Sequence, residues 1–249
     1  MQRLPAGTTS ERLTIRLWRA DEAEALSTAI NESLAHLQPW MDWAAEPASP
    51  DRAREVIELS LQRWRDGADA TYGVFAGDEI VGGTGLHRRA GPDTLEIGYW
   101  IHVDHIGRGY ATELAEALTD LALGLDGIEH VEIHHDEANV RSAAVPRKLG
   151  FARIAVAPRE PLAPGHSGTE WSWRTTRATW RARRIEFAGR SWWVKRSSDP
   201  VGPGGQPLRR LARGGVGRRR RSAAAHPPRR RGLDLRRDRR SGRDRLRHL

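Results

Sequence analysis

The chain has no cysteine and, in 249 residues, only two methionines, three tyrosines and three phenylalanines. Its lysines are Lys148 and Lys195. Without thiols there is no disulfide framework, no thiolate zinc site and no thiolate nucleophile, so a covalent acyl-enzyme would need Ser, Thr or another group. Nowhere do about 18 apolar residues run uninterrupted, and the first residues lack an apolar leader, so neither a membrane span nor a secretory signal is expected. The expected setting is cytoplasmic. With lysine so scarce, the positive charge is arginine, a bias that GC-rich codons produce more readily than selection for binding. That charge is unevenly placed. Residues 1–180 carry 18 Lys and Arg against 27 Asp and Glu, whereas 181–249 carry 23 against 5. The basic balance thus belongs to the tail alone.

Up to the tail, the pattern alternates strands and helices. Leu13–Trp18 alternates apolar with polar and reads as a half-buried strand. A helix is expected from Asp21 to near Leu34, with acidic residues in its first turn. A second starts at Ser49-Pro50-Asp51, where Ser caps and Pro fills the first turn, and stops at Gly67. Strands follow at Thr71–Ala76, Ile80–His87 and Leu95–Val103, with turns at Gly77-Asp78 and Ala90-Gly91-Pro92-Asp93. Then come a helix from near Gly109 to Leu123, a strand Val131–His135, a helix from near Arg141 to Leu149, and strands Phe151–Val156 and Glu170–Thr175. Antiparallel hairpins leading into a crossover helix and a parallel neighbour make an α/β arrangement on a mixed, mostly antiparallel sheet. Between the first two helices, His36–Trp43 is too aromatic for an ordinary solvent loop. A core plug and a substrate-site wall both account for it.

The most informative stretch is Ile106-Gly107-Arg108-Gly109-Tyr110-Ala111, running into the helical Thr112–Leu118. Glycines let backbone N–H groups converge on an anion, and a helix start adds a positive dipole end, so a phosphate-bearing ligand is expected here. A dinucleotide fingerprint shares this outline, with Thr112 in place of the third glycine and Asp136 past a further strand. Its position argues against it, since the loop follows hairpin strands instead of opening a βαβ chain. His134 and His135 invite a metal, but neighbours on a strand point to opposite faces and cannot share an ion without a bulge. No metal is expected.

A second motif lies at the right remove: Asn139-Val140-Arg141-Ser142, then Lys148-Leu149-Gly150-Phe151. Loop and motif together resemble the GNAT superfamily of acyl-CoA N-acyltransferases, particularly the branch that includes ribosomal-protein N-terminal acetyltransferases. The resemblance covers about residues 11–177, including Leu37-Gln38-Pro39-Trp40-Met41 and Glu96-Ile97-Gly98-Tyr99-Trp100-Ile101. It implies a GNAT fold in which strands Leu95–Val103 and Val131–His135 splay apart. The pantetheine arm of acetyl-CoA would lie in that gap, pairing with backbone near Ile101 and Val103. Its pyrophosphate would meet the amides of Ile106, Gly107, Arg108, Gly109, Tyr110, Ala111 and Thr112. Where the family prefers Gln or Arg this chain has Ile106, so a side-chain contact is lost while the backbone donors remain. Asn139 and Ser142, one helical turn apart, would flank the arm, although Asn139 also stands where an N-cap would be.

The implied reaction is direct attack of a neutral amine on the thioester. An α-amino group with a pKa near 8 is roughly a tenth neutral at pH 7, while a lysine is worse by roughly 3.4 kcal/mol, so a modest base suffices for a protein N-terminus. Glu96 is the leading base and His134 the second, with a merely solvated strand residue as the alternative for Glu96. The family's usual thiolate-protonating tyrosine is matched here by Pro146, which leaves Ser142 as the substitute acid. Backbone donors near Val103 would face the developing oxyanion. Trp40 and Trp43 would line the acceptor side. The acceptor is a protein N-terminus or a small amine, and the alternative from another class is a non-catalytic acyl-CoA-binding module.

From Arg181 onward no apolar period survives, and runs such as Gly217–Arg221 and Pro227–Arg231 cannot offset ordering entropy. Residues 178–249 are therefore expected to be a disordered extension. A basic arm for RNA or ribosome phosphates is one reading. The other, which the sequence favours, is a reading-frame shift or fusion remnant: Ile185–Lys195 resembles the opening of a concanavalin-like β-sandwich whose remainder is missing.

Overall fold

The computed structural model describes residues 2–185; the arginine runs and the aromatic segment from residue 186 onward lie outside the described residues. A single eight-stranded sheet has the order β1-β2-β3-β4-β5-β6-β8-β7. Its first five strands, β1 (Gly7–Thr9), β2 (Thr14–Leu17), β3 (Ala70–Ala76), β4 (Glu79–His87) and β5 (Thr94–Ile101), form an antiparallel run. Strand β6 (His130–Asp136) joins β5 in parallel, and β8 (Thr169–Thr176) pairs antiparallel with both β6 and the edge strand β7 (Ala152–Pro158). Strand β1 carries no apolar alternation, and no strand is expected there; pairing with β2, Gly7 opposite Arg16, makes it one.

Helices cover both faces. On one side α4 (Tyr110–Leu123) and α5 (Val140–Lys148) enclose a core of Ile15, Tyr72, Val74, Leu95, Ile97, Leu114, Leu118 and Ile133. On the other, α1 (Ala23–Glu32) and α3 (Pro50–Arg65) pack Leu26, Ile30 and Ile57 against Trp18, Phe75 and Trp100. The α3 start matches its sequence signal: the Ser49 hydroxyl accepts the Arg52 N–H at 3.1 Å with Pro50 behind it, a cap contributing about 1 kcal/mol. The first expected helix is divided. A 3₁₀ turn at Ala20–Glu22 precedes α1, and the short α2 (Leu34–Leu37) follows Ser33.

What positions the site is the end of the β5–β6 pairing. The register runs Thr94 to His130, Leu95 to Val131 and Glu96 to Glu132, then stops, although both strands continue. Period-two alternation then sorts the β5 side chains. Tyr99 and Ile101 turn toward the α4 core, while Trp100 turns toward the α1–α3 core. Strand β5 ends earlier than its sequence suggests. Val103 opens a 3₁₀ turn (Val103–His105) whose cap is His102, held through Nε2 by Glu32 at 3.0 Å.

A helical stretch over 177–185 follows β8, where no element is expected from the sequence. Trp180 is buried there, its ring edge-on to Phe151 and its Nε1 donating to Asp120 at 2.7 Å. Arg183 donates to the Lys148 and Leu149 carbonyls at the end of α5. Among the described residues no helix is long and apolar enough to cross a membrane.

Candidate active site

Two cavities meet where β5 and β6 part. The larger, about 470 Å³, runs from Ile106, Gly107 and Gly109–Thr112 past Tyr99 and Ile101 to Asn139 and Ser142. The smaller, about 160 Å³, lies across the sheet and is lined by Glu96, His134, Trp40, Trp43 and Trp100. Trp40, Met41, Tyr99, Trp100, Asn139 and Ser142 line both. The sheet therefore has an opening, walled by these shared residues, between a phosphate loop and an aromatic, carboxylate-bearing chamber.

The loop's geometry follows from its glycines. Gly107 and Gly109 sit at φ +78° and +85°, a region that costs any residue with a Cβ roughly 1–2 kcal/mol. A Cβ at Gly107 would meet nothing within 4 Å, so conformation and not crowding fixes glycine there. Gly109 is the N-cap of α4 and offers no side-chain acceptor, and its carbonyl takes the N–H groups of Thr112 and Glu113. The Thr112 amide, expected to meet the pyrophosphate, is thereby taken inside the helix, and it is the amides ahead of it, at Tyr110 and Ala111, that are left to an outside acceptor, the arrangement that suits an anion. Ile106, Gly107, Gly109, Tyr110, Ala111 and Thr112 line the groove. Arg108 does not; its carbonyl instead faces Arg12. Val103 also stands apart, its N–H donating to the Ser33 hydroxyl at 3.1 Å.

At the opening, Asn139 caps α5 by accepting the Ser142 N–H at 3.1 Å, so capping and position beside the groove coexist. The Ser142 hydroxyl lies 3.1 Å from the Tyr99 hydroxyl. Pro146 explains how that tyrosine is held. Four residues past Ser142 inside α5, it has no N–H to give the Ser142 carbonyl, and the Tyr99 phenol donates to that oxygen at 3.4 Å. Burial pushes the Tyr99 phenol up to about 12, against a smaller opposing pull from its bond to Ser142. It stays neutral at ordinary pH. Its part at the opening is not legible from sequence, because only the folded register brings residue 99 opposite residue 142.

On the chamber side Glu96 is not free. Arg89 forks onto it, Nε and Nη2 each 3.1 Å from a carboxylate oxygen. His134 Nε2 is 2.6 Å from Glu132 and its Nδ1 is 3.6 Å from Glu170. Glu132, nearly buried, is also held by Arg174, and Glu170 by Arg159. Burial pulls the His134 imidazole down, but the bond to Glu132 and the charges of Glu96, Glu170 and Glu132 outweigh it and leave it above its ordinary value. His135 turns to the other face, between Asp136 O and the Trp173 indole, with both nitrogens engaged. Among the described residues no group of three or more His, Asp or Glu could hold a metal ion.

The aromatic segment proves to be both core and wall. Trp43 packs edge-on to Trp100 while lining the chamber. Over it folds the β7–β8 loop: Gly165 N–H donates to Pro39 O at 2.8 Å, and His166 Nε2 to Trp40 O at 3.1 Å. A Cβ on Gly165 would come within 2.5 Å of that carbonyl, so the loops approach this closely because residue 165 has none. Nothing local in the sequence points to this contact across some 126 positions.

A mixed sheet that parts beside an amide-lined glycine loop defines the N-acyltransferase class of folds. The chain belongs to the GNAT acetyltransferase family, whose domain description matches residues 12–152. It is similar to the Bacillus subtilis (strain 168) protein YdaF, named for a ribosomal N-acetyltransferase activity: 31% identical over 147 residues, spanning 57% of this chain and 79% of that protein. It is 24% identical over 110 residues to the ribosomal-protein-serine acetyltransferase of Escherichia coli (strain K12), spanning 44% of this chain and 62% of the other. The fold is shared with RimL, a ribosomal L7/L12 α-N-protein acetyltransferase solved with coenzyme A, at a TM-score of 0.62 and 20% identity over 70% of this chain and 98% of that one.

Proposed function

We propose that the chain transfers the acetyl group of acetyl-CoA to the α-amino group of a protein N-terminus by direct attack at the opening between β5 and β6. The observation that carries this reading is the continuity of the two cavities through Tyr99, Asn139 and Ser142. The residues present suit a diphosphate thioester, since the loop offers backbone donors at left-handed glycines and the groove leads from them to the opening. Bound there, the coenzyme supplies an activated acyl carbonyl.

The protein's own residues divide the remaining tasks. Loop amides hold the diphosphate, and Asn139 and Ser142 flank the arm. In the chamber the Glu96 carboxylate, with Glu132 and Glu170 behind His134, favours a cationic amine, although arginines neutralise much of their charge. The Arg89 fork occupies both oxygens of the Glu96 carboxylate. His134 is better placed to take the amine's proton: with its Nε2–H given to Glu132, the lone pair falls on Nδ1. Ser142 Oγ, supported by Tyr99, is the proton source for the departing thiolate. Orientation does much of the rest, with reacting groups brought to contact through a narrow opening. The names of YdaF and the Escherichia coli relative support a ribosomal-protein acceptor, and an α-amine is easier to deprotonate than a lysine.

The test is product analysis. Incubation with acetyl-CoA and N-terminal peptides should yield peptide acetylated at the α-amine with one coenzyme thiol released per product. Acetylation confined to lysine side chains or to small amines would overturn the acceptor assignment.

A further inference from the structure

Arg12, on the turn between β1 and β2, lines neither cavity at the opening, yet it reaches the phosphate loop from behind. Its Nη1 donates to the Arg108 carbonyl at 3.1 Å, its Nε donates to Glu113 at 2.6 Å, and its guanidinium lies 4.8 Å from the centre of the Tyr110 ring. Glu113, in the first turn of α4, also accepts the Arg12 N–H at 2.8 Å and the Ser10 hydroxyl at 2.7 Å. The β1–β2 turn is thus stapled to the start of the helix that carries the loop.

The contact with Arg108 has a directional consequence. Peptide bonds here are trans, and in a trans peptide the C=O and the following N–H point to opposite sides. Fixing the Arg108 oxygen toward Arg12 therefore turns the Gly109 N–H away from Arg12. Left alone, the Arg108–Gly109 peptide plane would turn more readily than most, because Gly109 has no Cβ to restrict its side of the rotation. The Tyr110 ring under the guanidinium anchors the far end of the same segment. With Glu113 beside it, Arg12 has its charge largely matched, so its contribution is orientation more than bare attraction.

We propose that Arg12 is the positioning residue for diphosphate recognition: by holding the Arg108 carbonyl it keeps the Gly109 amide aimed at the coenzyme. This rests on the coenzyme reading above and adds to it a residue that does not touch the ligand.

The test compares acetyl-CoA with acetyl-pantetheine, the same thioester without the diphosphate. In Arg12→Met, the ratio of kcat/KM for acetyl-CoA over acetyl-pantetheine should fall about tenfold, with a matching rise in the CoA Kd by calorimetry. An unchanged ratio, or equal losses on both substrates, would overturn the proposal. Arg12→Lys keeps the charge and the aliphatic stem but cannot span Arg108 and Glu113 together, so its ratio should lie between the two. Should the Met variant fail to fold, a Lys variant indistinguishable from the parent overturns the proposal by itself. Absence of CoA binding by the unaltered chain would instead remove the coenzyme reading, and this inference with it.

Discussion

The Tyr99 hydroxyl stands 3.1 Å from that of Ser142, at the point where β5 and β6 cease to pair. Pro146 makes the contact possible by leaving the Ser142 carbonyl without its helical donor. Ser142→Ala should lower kcat about tenfold with little change in KM for acetyl-CoA, a modest loss because a thiolate leaves readily. Tyr99→Phe should reduce kcat less and cost about 1 kcal/mol of stability, since a partly buried carbonyl loses its donor. Steady-state kinetics with denaturant titration checks both. Parental kcat in Ser142→Ala would remove the proposed acid.

The pH dependence of kcat/KM should show an acid limb set by His134. Because Glu96 helps to raise that imidazole, Glu96→Gln should move the limb to lower pH, and His134→Gln should abolish it. The sign is the same in stability. A histidine raised on folding stabilises the protein in acid and loses that contribution as pH rises through its folded value. A limb that stays put in Glu96→Gln and persists in His134→Gln would exclude His134 as the base.

Gly107→Ala introduces no clash, only an unfavourable φ. It should cost about 1–2 kcal/mol and raise KM for acetyl-CoA, while leaving KM for the peptide acceptor nearly unchanged. Thermal melts and bisubstrate kinetics separate the two effects.

The phosphate loop, the Asn139–Ser142 motif and the order of strands and helices were legible because each is local. Glycine spacing, caps and apolar period all lie within a few residues of one another. Tyr99, Arg89, Glu132 and Arg12 were not, because the partners Ser142, Glu96, Arg174 and Arg108 stand on other elements and only the fold brings them together. The same reason hid the helical stretch after β8. A lone Trp180 in an arginine-rich run gives no periodic signal, and its value comes from Phe151 and Asp120, far back in the chain.

That stretch should belong to the folded unit. Trp180→Ala should cost about 3–5 kcal/mol, the price of emptying a large buried site. A chain ending after Thr176 should be correspondingly less stable in urea than one ending after residue 185, and equal midpoints would show the segment to be dispensable.

The central claim is that diphosphate, thioester and amine meet at one opening in the sheet. Its most direct test is stopped-time mass spectrometry of an N-terminal peptide with acetyl-CoA, read together with released coenzyme thiol. The account predicts one acetyl group on the peptide α-amine for each thiol. Tight coenzyme binding with neither product nor thiol, across peptides and amines, would contradict it and leave a protein that only binds acyl-CoA.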